Sequence, residues 1–340
     1  MHRSGTSLLA RLLNVAGVEL GAPEQLAAAA EDNPRGFWEH LGLREVQDEL
    51  LRAFGGSWLH PPALPEGWLQ DPRVEPLRVR AQEILATDFA GLPLWGFKDP
   101  RTSLLVDFWR PLLPGRVVWL LCVRHPLEVA DSLQRRNRIP ALIAEELWFE
   151  YTRSALRGTS PEERIIVHYD RLLEDPAGEI ARVLEQARLT APVGDGALET
   201  RLRQETSGEL RHHRRTLEEV EAGSSLRSAT RTLYLSLHRG EEPSLHETWL
   251  AAGEAGELYV RMRAECADRL EELDRIRRAL ISLEASFHQE RLDSTEWKRE
   301  ALQLRHECQL HQRRAEFRLG ESLRQLLRSL RGRPGRPKGA

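Results

Sequence analysis

The sequence predicts an α/β fold: a doubly wound parallel sheet flanked by helices, followed by a C-terminal α-helical, coiled-coil region. Residues 117–123 read Val-Val-Trp-Leu-Leu-Cys-Val. A run that is apolar on both faces is typical of a strand inside a parallel sheet. Strand and helix patterns alternate up to residue 186, which indicates βαβ units.

The predicted elements follow one another along the chain. Strands are predicted at residues 94–97, 116–123 and 163–169. Helices are predicted at residues 7–15, 43–54, 72–85, 127–135, 143–157 and 177–186. Doubly wound sheets bind their ligands beyond the carboxyl ends of the strands, so we expect the functional residues there.

Composition limits the classes of function. The chain has 340 residues, a net charge of −3 and three cysteines (Cys122, Cys266 and Cys308). The weak net charge argues against a general nucleic-acid binder. Cysteines so far apart predict neither a disulfide framework nor a metal site. No apolar run approaches the ~18 residues of a membrane helix, so we expect a soluble, cytoplasmic protein without a membrane span.

The chain is predicted to divide into four parts. Residues 1–215 form the α/β domain, 216–260 a helical connector, 261–330 a long helix or coiled coil, and 331–340 a disordered basic tail. Apolar residues at heptad spacing form the best part of the seam: Leu273, Ile276, Leu280, Leu283 and Phe287. This seam predicts a parallel homodimer. The alternative is one long helix that lies back on the domain.

The opening loop is the first candidate site. Arg3, Ser4, Gly5, Thr6 and Ser7 directly precede an amphipathic helix. A glycine lets successive N–H groups converge on an anion, which the positive end of the helix also attracts. The alternative is an ordinary capped helix start. The loop lacks the Gly-Lys-Ser/Thr of nucleotide hydrolases.

A second candidate site follows the apolar strand. Arg124 leaves the carboxyl end of that strand, and Ser132 lies two turns into the next helix. A guanidinium fork and a hydroxyl in this arrangement can hold one phosphate. The alternative is that Arg124 pairs with a nearby carboxylate and Ser132 is a surface serine.

A third candidate site closes the strand predicted at 94–97. Lys98 and Arg101 flank Asp99 and Pro100. If the strands are neighbours, both cations project into the same cleft as the opening loop. The alternative is an ion pair with Asp99.

Two further segments offer acid–base and supporting groups. Glu39 follows Trp38, and a carboxylate beside an aromatic ring is expected to have a raised pKa and to accept a proton from a hydroxyl. Asp32 and His40 are weaker candidates for that base, and a helix-start carboxylate is the alternative for each. Tyr169 and Asp170, at the end of the last predicted strand, are expected to brace the site.

Five short motifs, in order, resemble the sulfotransferases that use 3′-phosphoadenosine 5′-phosphosulfate, in their bacterial P-loop-type branch. The motifs are HRSGTSLL (2–9), NPRGFWE (33–39), GFKDPR (96–101), VRHPLEVADSL (123–133) and VHYDRLLEDP (167–176). They cover the first ~200 residues, and the segment 210–214 resembles the closing motif of that family. The resemblance does not extend to the predicted coiled coil.

The resemblance implies a role for each matched residue. The 5′-phosphosulfate would bind the opening loop, and the 3′-phosphate would bind Arg124 and Ser132, with Arg211 or Arg214 also in reach. Lys98 would lie near the transferred sulfonate, and Glu39 matches the acidic base of some members. Relatives carry an apolar strand just before this loop. We therefore expect the first strand to be missing here and Met1 to be an internal methionine.

The leading prediction is therefore a sulfotransferase that uses this nucleotide as co-substrate, needs no metal, and acts on a carbohydrate or small-metabolite hydroxyl. The alternative from another class is an inactive sulfotransferase-like scaffold that acts through its coiled coil. A small-molecule kinase is disfavoured because the loop lacks the kinase lysine.

Overall fold

The computed structural model describes residues 1–29, 35–189, 196–206, 215, 217–221, 226–241 and 243, together with 275, 276, 279, 302–307 and 310. The chain divides into two compact units, Met1–Ala252 and Gly253–Ala340. The first unit is mixed α/β and mostly helical, with a small parallel sheet.

Two strands make up the sheet within the described residues. Strand β1 is Trp119–Val123 and strand β2 is Arg164–His168. They pair in parallel, with Trp119 opposite Arg164 and Val123 opposite His168. The predicted strands 116–123 and 163–169 are therefore present, and the first begins three residues later than predicted. A wider, doubly wound sheet stays a prediction.

The strand predicted at 94–97 is wrong. Trp95 forms only an isolated parallel bridge with Glu19. The N–H of Glu19 donates to the carbonyl of Leu94 at 3.1 Å, and the N–H of Gly96 donates to the carbonyl of Glu19 at 2.9 Å. The partner segment cannot pair further because Gly17 and Gly21 have φ of 97° and 103°, which turns the chain away on both sides of Glu19.

The described helices are α1 (Thr6–Val15), α2 (Leu41–Ala53), α3 (Glu75–Asp88), α4 (Val106–Trp109), α5 (Pro126–Asn137), α6 (Ala141–Gly158), α7 (Tyr169–Glu174), α8 (Pro176–Gln186), α9 (Gly196–Glu205), α10 (Leu217–Glu221) and α11 (Ser228–Arg239). The six predicted helices correspond to α1, α2, α3, α5, α6 and α8. Predicted and observed ends differ by at most three residues, which is the usual uncertainty of helix boundaries.

Two apolar clusters anchor these elements. The first joins α1 to both strands, α8 and α9, and its fully buried members include Leu12, Val167 and Ile180. The second joins α2, α3 and α4 around Val46 and Trp109. Because α1 is buried along its apolar face, the loop that precedes it has a fixed position against β1 and β2.

The predicted coiled coil and basic tail lie almost entirely outside the described residues, and both stay predictions. The few described positions there include the helical residues 302–307. No helix in the described part of the chain is both long and apolar enough to cross a membrane.

Candidate anion-binding site

The opening loop leaves the N-terminus of α1 uncapped. Gly5 is the N-cap residue with φ 89°, and no side chain bonds the first turn. The first helical hydrogen bond runs from the N–H of Leu9 to the carbonyl of Gly5 at 3.0 Å. The N–H groups of Thr6, Ser7 and Leu8 therefore have no acceptor within the helix. Together with the helix dipole, they give this end a partial positive charge.

The ring of Tyr169 fixes the path of this loop. A Cβ on Gly5 would lie 2.2 Å from Tyr169 Cδ2, far inside van der Waals contact. Tyr169 follows β2 directly and is buried. The glycine is thus required both by its positive φ and by the close approach of the aromatic ring.

The loop and the strand-tip motif are in direct contact. Arg3 Nε donates to Ser132 Oγ at 2.8 Å, and Arg124 Nη1 donates to the carbonyl of Arg3 at 3.2 Å. Ser132 is buried, so the surface-serine alternative is wrong. Two motifs about 120 residues apart in sequence thus share one site.

Arg124 is held by a set of specific contacts. Its Nε donates to Glu128 Oε2 at 2.9 Å, and its guanidinium lies 4.5 Å from the ring centroid of Tyr169. The indole N–H of Trp148 donates to its carbonyl at 2.9 Å. The pairing with a nearby carboxylate, which the sequence left open, is therefore present. Arg124 Nη2 bonds none of the described residues.

Glu128 is a site residue that sequence reasoning missed. It is almost fully buried, and its second oxygen accepts the N–H of Arg215 at 3.0 Å. The available signal was its place in the first turn of α5, directly after the strand end that carries Arg124. Arg136, one turn after Ser132, was also missed, and its guanidinium lies 5.2 Å from the Phe37 ring centroid.

The loop hydroxyls have different environments. Ser4 Oγ is buried and bonds none of the described residues. The carbonyl of Ser4 accepts the thiol of Cys122 at 3.0 Å, and burial raises the pKa of that thiol to about 12. Ser7 Oγ donates to the carbonyl of Phe37 at 3.0 Å. Thr6 is the first residue of α1.

Lys98 and Glu39 form a largely buried ion pair. Lys98 Nζ lies 2.8 Å from Glu39 Oε1, and the two side chains are 12% and 10% exposed. Burial alone raises the pKa of Glu39, but the nearby charges of Lys98 and Arg101 outweigh burial and lower it. The expected raised pKa is therefore wrong: Glu39 is a carboxylate at neutral pH.

Arg101 takes part in an ion pair with Asp99, and its place in the same cleft as Lys98 stays a prediction. It is buried, bonds Asp99 Oδ1 at 2.9 Å through Nη1, and bonds Asp48 Oδ1 at 2.6 Å through Nε. Burial raises the pKa of Asp99, and Arg101 only partly opposes this. The ion pair with Asp99, which was the alternative, is therefore present. The bond to Asp48 joins the turn at residue 99 to α2.

His40 has a local structural role. Its Nδ1 accepts the N–H of Leu43 at 3.4 Å and caps α2, while its Nε2 lies 3.1 Å from Asp88 Oδ2. Burial lowers its pKa, against the opposing effect of Asp88. Asp32, Arg211 and Arg214 lie outside the described residues.

The arrangement can bind an anion with more than one charged group. The loop that carries Arg3 runs into the uncapped start of α1, and Arg3 is bonded directly to Ser132 and Arg124. In the described part of the chain, no three His, Cys, Asp or Glu side chains are grouped to hold a metal ion. No protein-family model, no curated protein and no solved structure matches this chain.

Proposed function

We propose that this chain is a sulfotransferase that moves a sulfonate from 3′-phosphoadenosine 5′-phosphosulfate to a hydroxyl of a carbohydrate or small metabolite. The observation that carries the proposal is the junction of Arg3, Ser132 and Arg124 at the uncapped start of α1. It brings together the two motifs that the resemblance assigns to the two ends of this nucleotide. The P-loop-type fold is part of the same proposal.

Each anionic group of the donor has a chemical match. The 5′-phosphosulfate would accept hydrogen bonds from the first N–H groups of α1, from Arg3 and from the hydroxyls of Ser4 and Thr6. Ser7 would contribute through its backbone N–H, because its hydroxyl donates to the carbonyl of Phe37. The buried Ser4 Oγ, without a partner among the described residues, supports this assignment. The 3′-phosphate would bind Ser132 and the uncommitted Nη2 of Arg124, since guanidinium–phosphate bonds are among the strong hydrogen bonds of proteins.

The proposed transfer is an in-line displacement at sulfur. The acceptor oxygen forms a bond to sulfur while the bond from sulfur to the bridging phosphate oxygen breaks. The electron pair of that bond stays on the phosphate, which leaves as 3′,5′-bisphosphoadenosine. The acceptor proton passes to the Glu39 carboxylate. Lys98 and Arg3 stabilise the negative charge that builds on the sulfonate and the phosphate.

Calorimetric titration of the full chain with 3′,5′-bisphosphoadenosine tests the donor site. We expect binding, and at least about tenfold weaker binding of 5′-AMP, since it lacks the 3′-phosphate. Arg3→Ala should weaken the bisphosphate by a similar factor. Arg110→Ala is the matched control, because Arg110 is an exposed arginine that pairs with Glu163. Absence of binding by the folded chain would refute the proposal.

Glu39→Gln tests the assignment of the base. We expect at least about a 100-fold loss of kcat, which is typical for removal of a general base, with bisphosphate affinity changed less than about threefold. Glu49→Gln is the control, because Glu49 is also a carboxylate paired with a cation, Arg80 at 3.0 Å. Unchanged turnover in Glu39→Gln would exclude Glu39 as the base.

A further inference from the structure

Helix α11 contacts the carboxyl ends of both strands. The ring centroid of Tyr234 on α11 lies 5.1 Å from that of His125, two residues after the end of β1. One turn further along the helix, the ring of His238 lies 5.2 Å from that of His168, the last residue of β2. Residues four apart share one face of a helix. This face of α11 therefore meets the strand ends beside the candidate site.

Tyr234 contacts two groups that hold the main chain of Arg124. One is His125, the next residue in the chain. The other is Trp148 of α6, whose indole ring lies 6.1 Å from the Tyr234 ring in an edge-on arrangement, and whose N–H donates to the carbonyl of Arg124 at 2.9 Å. Tyr234 and Trp148 are both almost fully buried. The Tyr234 ring thus restricts the position of the Arg124 main chain from two sides.

The side chain of Arg124 is supported by contacts of the same part of the chain. Its guanidinium lies over the ring of Tyr169, which directly follows His168, a contact of α11. Its Nε donates to Glu128, and the other oxygen of that carboxylate accepts the N–H of Arg215. Both the main chain and the side chain of Arg124 are therefore held by residues that contact α11 or the chain leading to it.

The start of α11 is itself fixed to α6. Arg227, the residue that precedes the helix, donates its N–H to Glu145 Oε1 at 2.9 Å. Its guanidinium lies 5.8 Å from the ring centroid of Phe149, and Leu233 in the middle of the helix is fully buried. Since α6 also carries Trp148, the helix that bears Tyr234 has a defined place relative to the bond between Trp148 and Arg124.

We propose that Tyr234 is a positioning residue that holds Arg124 for the 3′-phosphate of the donor, so that α11 is part of the donor site. This inference rests on the proposed sulfotransferase function. A guanidinium binds a phosphate through directional hydrogen bonds, and such groups need to be held to within about 0.5 Å. The sequence prediction had placed α11 in a helical connector outside the site. Because Tyr234 acts through Arg124, it affects only ligands that carry a 3′-phosphate.

The test is calorimetric titration of the full chain with 3′,5′-bisphosphoadenosine and with 5′-AMP, which lacks the 3′-phosphate. The ratio of the two dissociation constants isolates the contribution of the 3′-phosphate. We expect Tyr234→Leu to lower this ratio about fivefold. Tyr234→Phe keeps the ring and should leave the ratio within about twofold. Phe108→Leu is the matched control, because Phe108 is a buried ring that packs edge-on against Trp109 in the second apolar cluster; it should not change the ratio.

A double-mutant cycle identifies the residue through which Tyr234 acts. In the Arg124→Ala background, Tyr234→Leu should have no further effect on the ratio, since the group that it positions is gone. Trp148→Phe gives an independent measurement if Tyr234→Leu does not fold. It keeps an aromatic ring against Tyr234 but removes the N–H that bonds the carbonyl of Arg124, and we expect the ratio to fall about threefold.

The outcomes separate this inference from the proposed function. If the unaltered chain binds the bisphosphate but Tyr234→Leu leaves the ratio unchanged, the positioning role is overturned and the proposed function stands. A full effect of Tyr234→Leu in the absence of the Arg124 side chain would also overturn the role. Failure of the unaltered chain to bind the bisphosphate would refute the proposed function, and this inference with it.

Discussion

Both the backbone conformation of the loop and its packing require a glycine at position 5. Its φ of 89° costs about 1–2 kcal/mol for any residue with a Cβ, and the Cβ would also strike the ring of Tyr169. Overpacking of this kind costs about 1–3 kcal/mol more. The residue matters because a shifted Tyr169 would also move Arg124, whose guanidinium lies over the same ring.

We expect Gly5→Ala to lower the free energy of unfolding by about 2–5 kcal/mol in urea denaturation. Gly17→Ala is the matched control, since Gly17 has φ 97° but nothing within 4 Å of an added Cβ. Gly17→Ala should lower the free energy of unfolding only by the cost of the positive φ, about 1–2 kcal/mol. Equal losses in the two variants would show that Tyr169 does not restrict residue 5.

His168 links the stability of the first unit to pH. Burial, and then the His238 ring at 5.2 Å, lower its pKa to about 4. In the unfolded chain its pKa is about 6.5. As pH falls from 6.5 to 4, the unfolded state takes up a proton that the folded state does not. Acid therefore favours unfolding, by about 3 kcal/mol at the lower end of this range.

We expect the free energy of unfolding of the full chain to fall between pH 6.5 and 4, and His168→Gln to remove most of the part due to this residue. The variant should show a shallower dependence by about 3 kcal/mol across that range, and the same dependence as the parent above pH 7. Urea denaturation at several pH values measures both. Parallel curves throughout would contradict the role of His168.

The chemistry of the site residues could be predicted only in part from the sequence. Residue type and motif order pointed to Arg3, Arg124 and Ser132, and these side chains are linked. The ionisation state of Glu39 was not predictable from the sequence, because its pKa depends on Lys98, 59 residues away. Local sequence gives the aromatic neighbour but not the cation that outweighs burial.

At the level of elements, α5 connects the two halves of the candidate site. It begins at Pro126, which suits the first position of a helix, and His125 caps it by accepting the N–H of Leu127 at 3.1 Å. Glu128 and Ser132 then lie one turn apart on the face that meets the loop. The position of Arg3 therefore depends on the start of this helix.

We expect Ser132→Ala to weaken 3′,5′-bisphosphoadenosine about tenfold, because it removes the acceptor of Arg3 and a proposed phosphate ligand. Ser154→Ala on α6 is the control: Ser154 is also buried, and its hydroxyl bonds Glu150 at 3.4 Å. Calorimetric titration gives both affinities. Equal effects of the two substitutions would place Ser132 outside the donor site.

Element boundaries were predictable where the chain carries its own signal. Gly5 and Pro126 mark the starts of α1 and α5, and the apolar run marks β1. The segment 94–97 had strand-like composition but needs a neighbour to become a strand, and Glu19 supplies only one residue of pairing. Pairing is a tertiary property that a single segment does not encode.

At the scale of the whole molecule, the first unit contains all the described parts of the candidate site. Met1–Ala252 includes both apolar clusters, the sheet and the site residues from Arg3 to Ser132. A unit with its own core is able to fold alone. The two hypotheses differ in their use of the second unit. The scaffold would act through its predicted coiled coil, whereas the proposed enzyme uses residues of the first unit.

We expect removal of residues 253–340 to leave one cooperative urea transition, bisphosphate affinity within about twofold and full transfer activity. The reason is that every residue proposed to bind the donor or to transfer a proton lies before residue 252. The measurements are urea denaturation, calorimetric titration, and transfer of labelled sulfonate to a panel of acceptor hydroxyls.

Binding without transfer in both the full and the shortened chain would instead favour the scaffold, in which the first unit only holds the nucleotide. Loss of transfer on shortening, with binding kept, would show that residues 253–340 contribute to the acceptor side of the reaction.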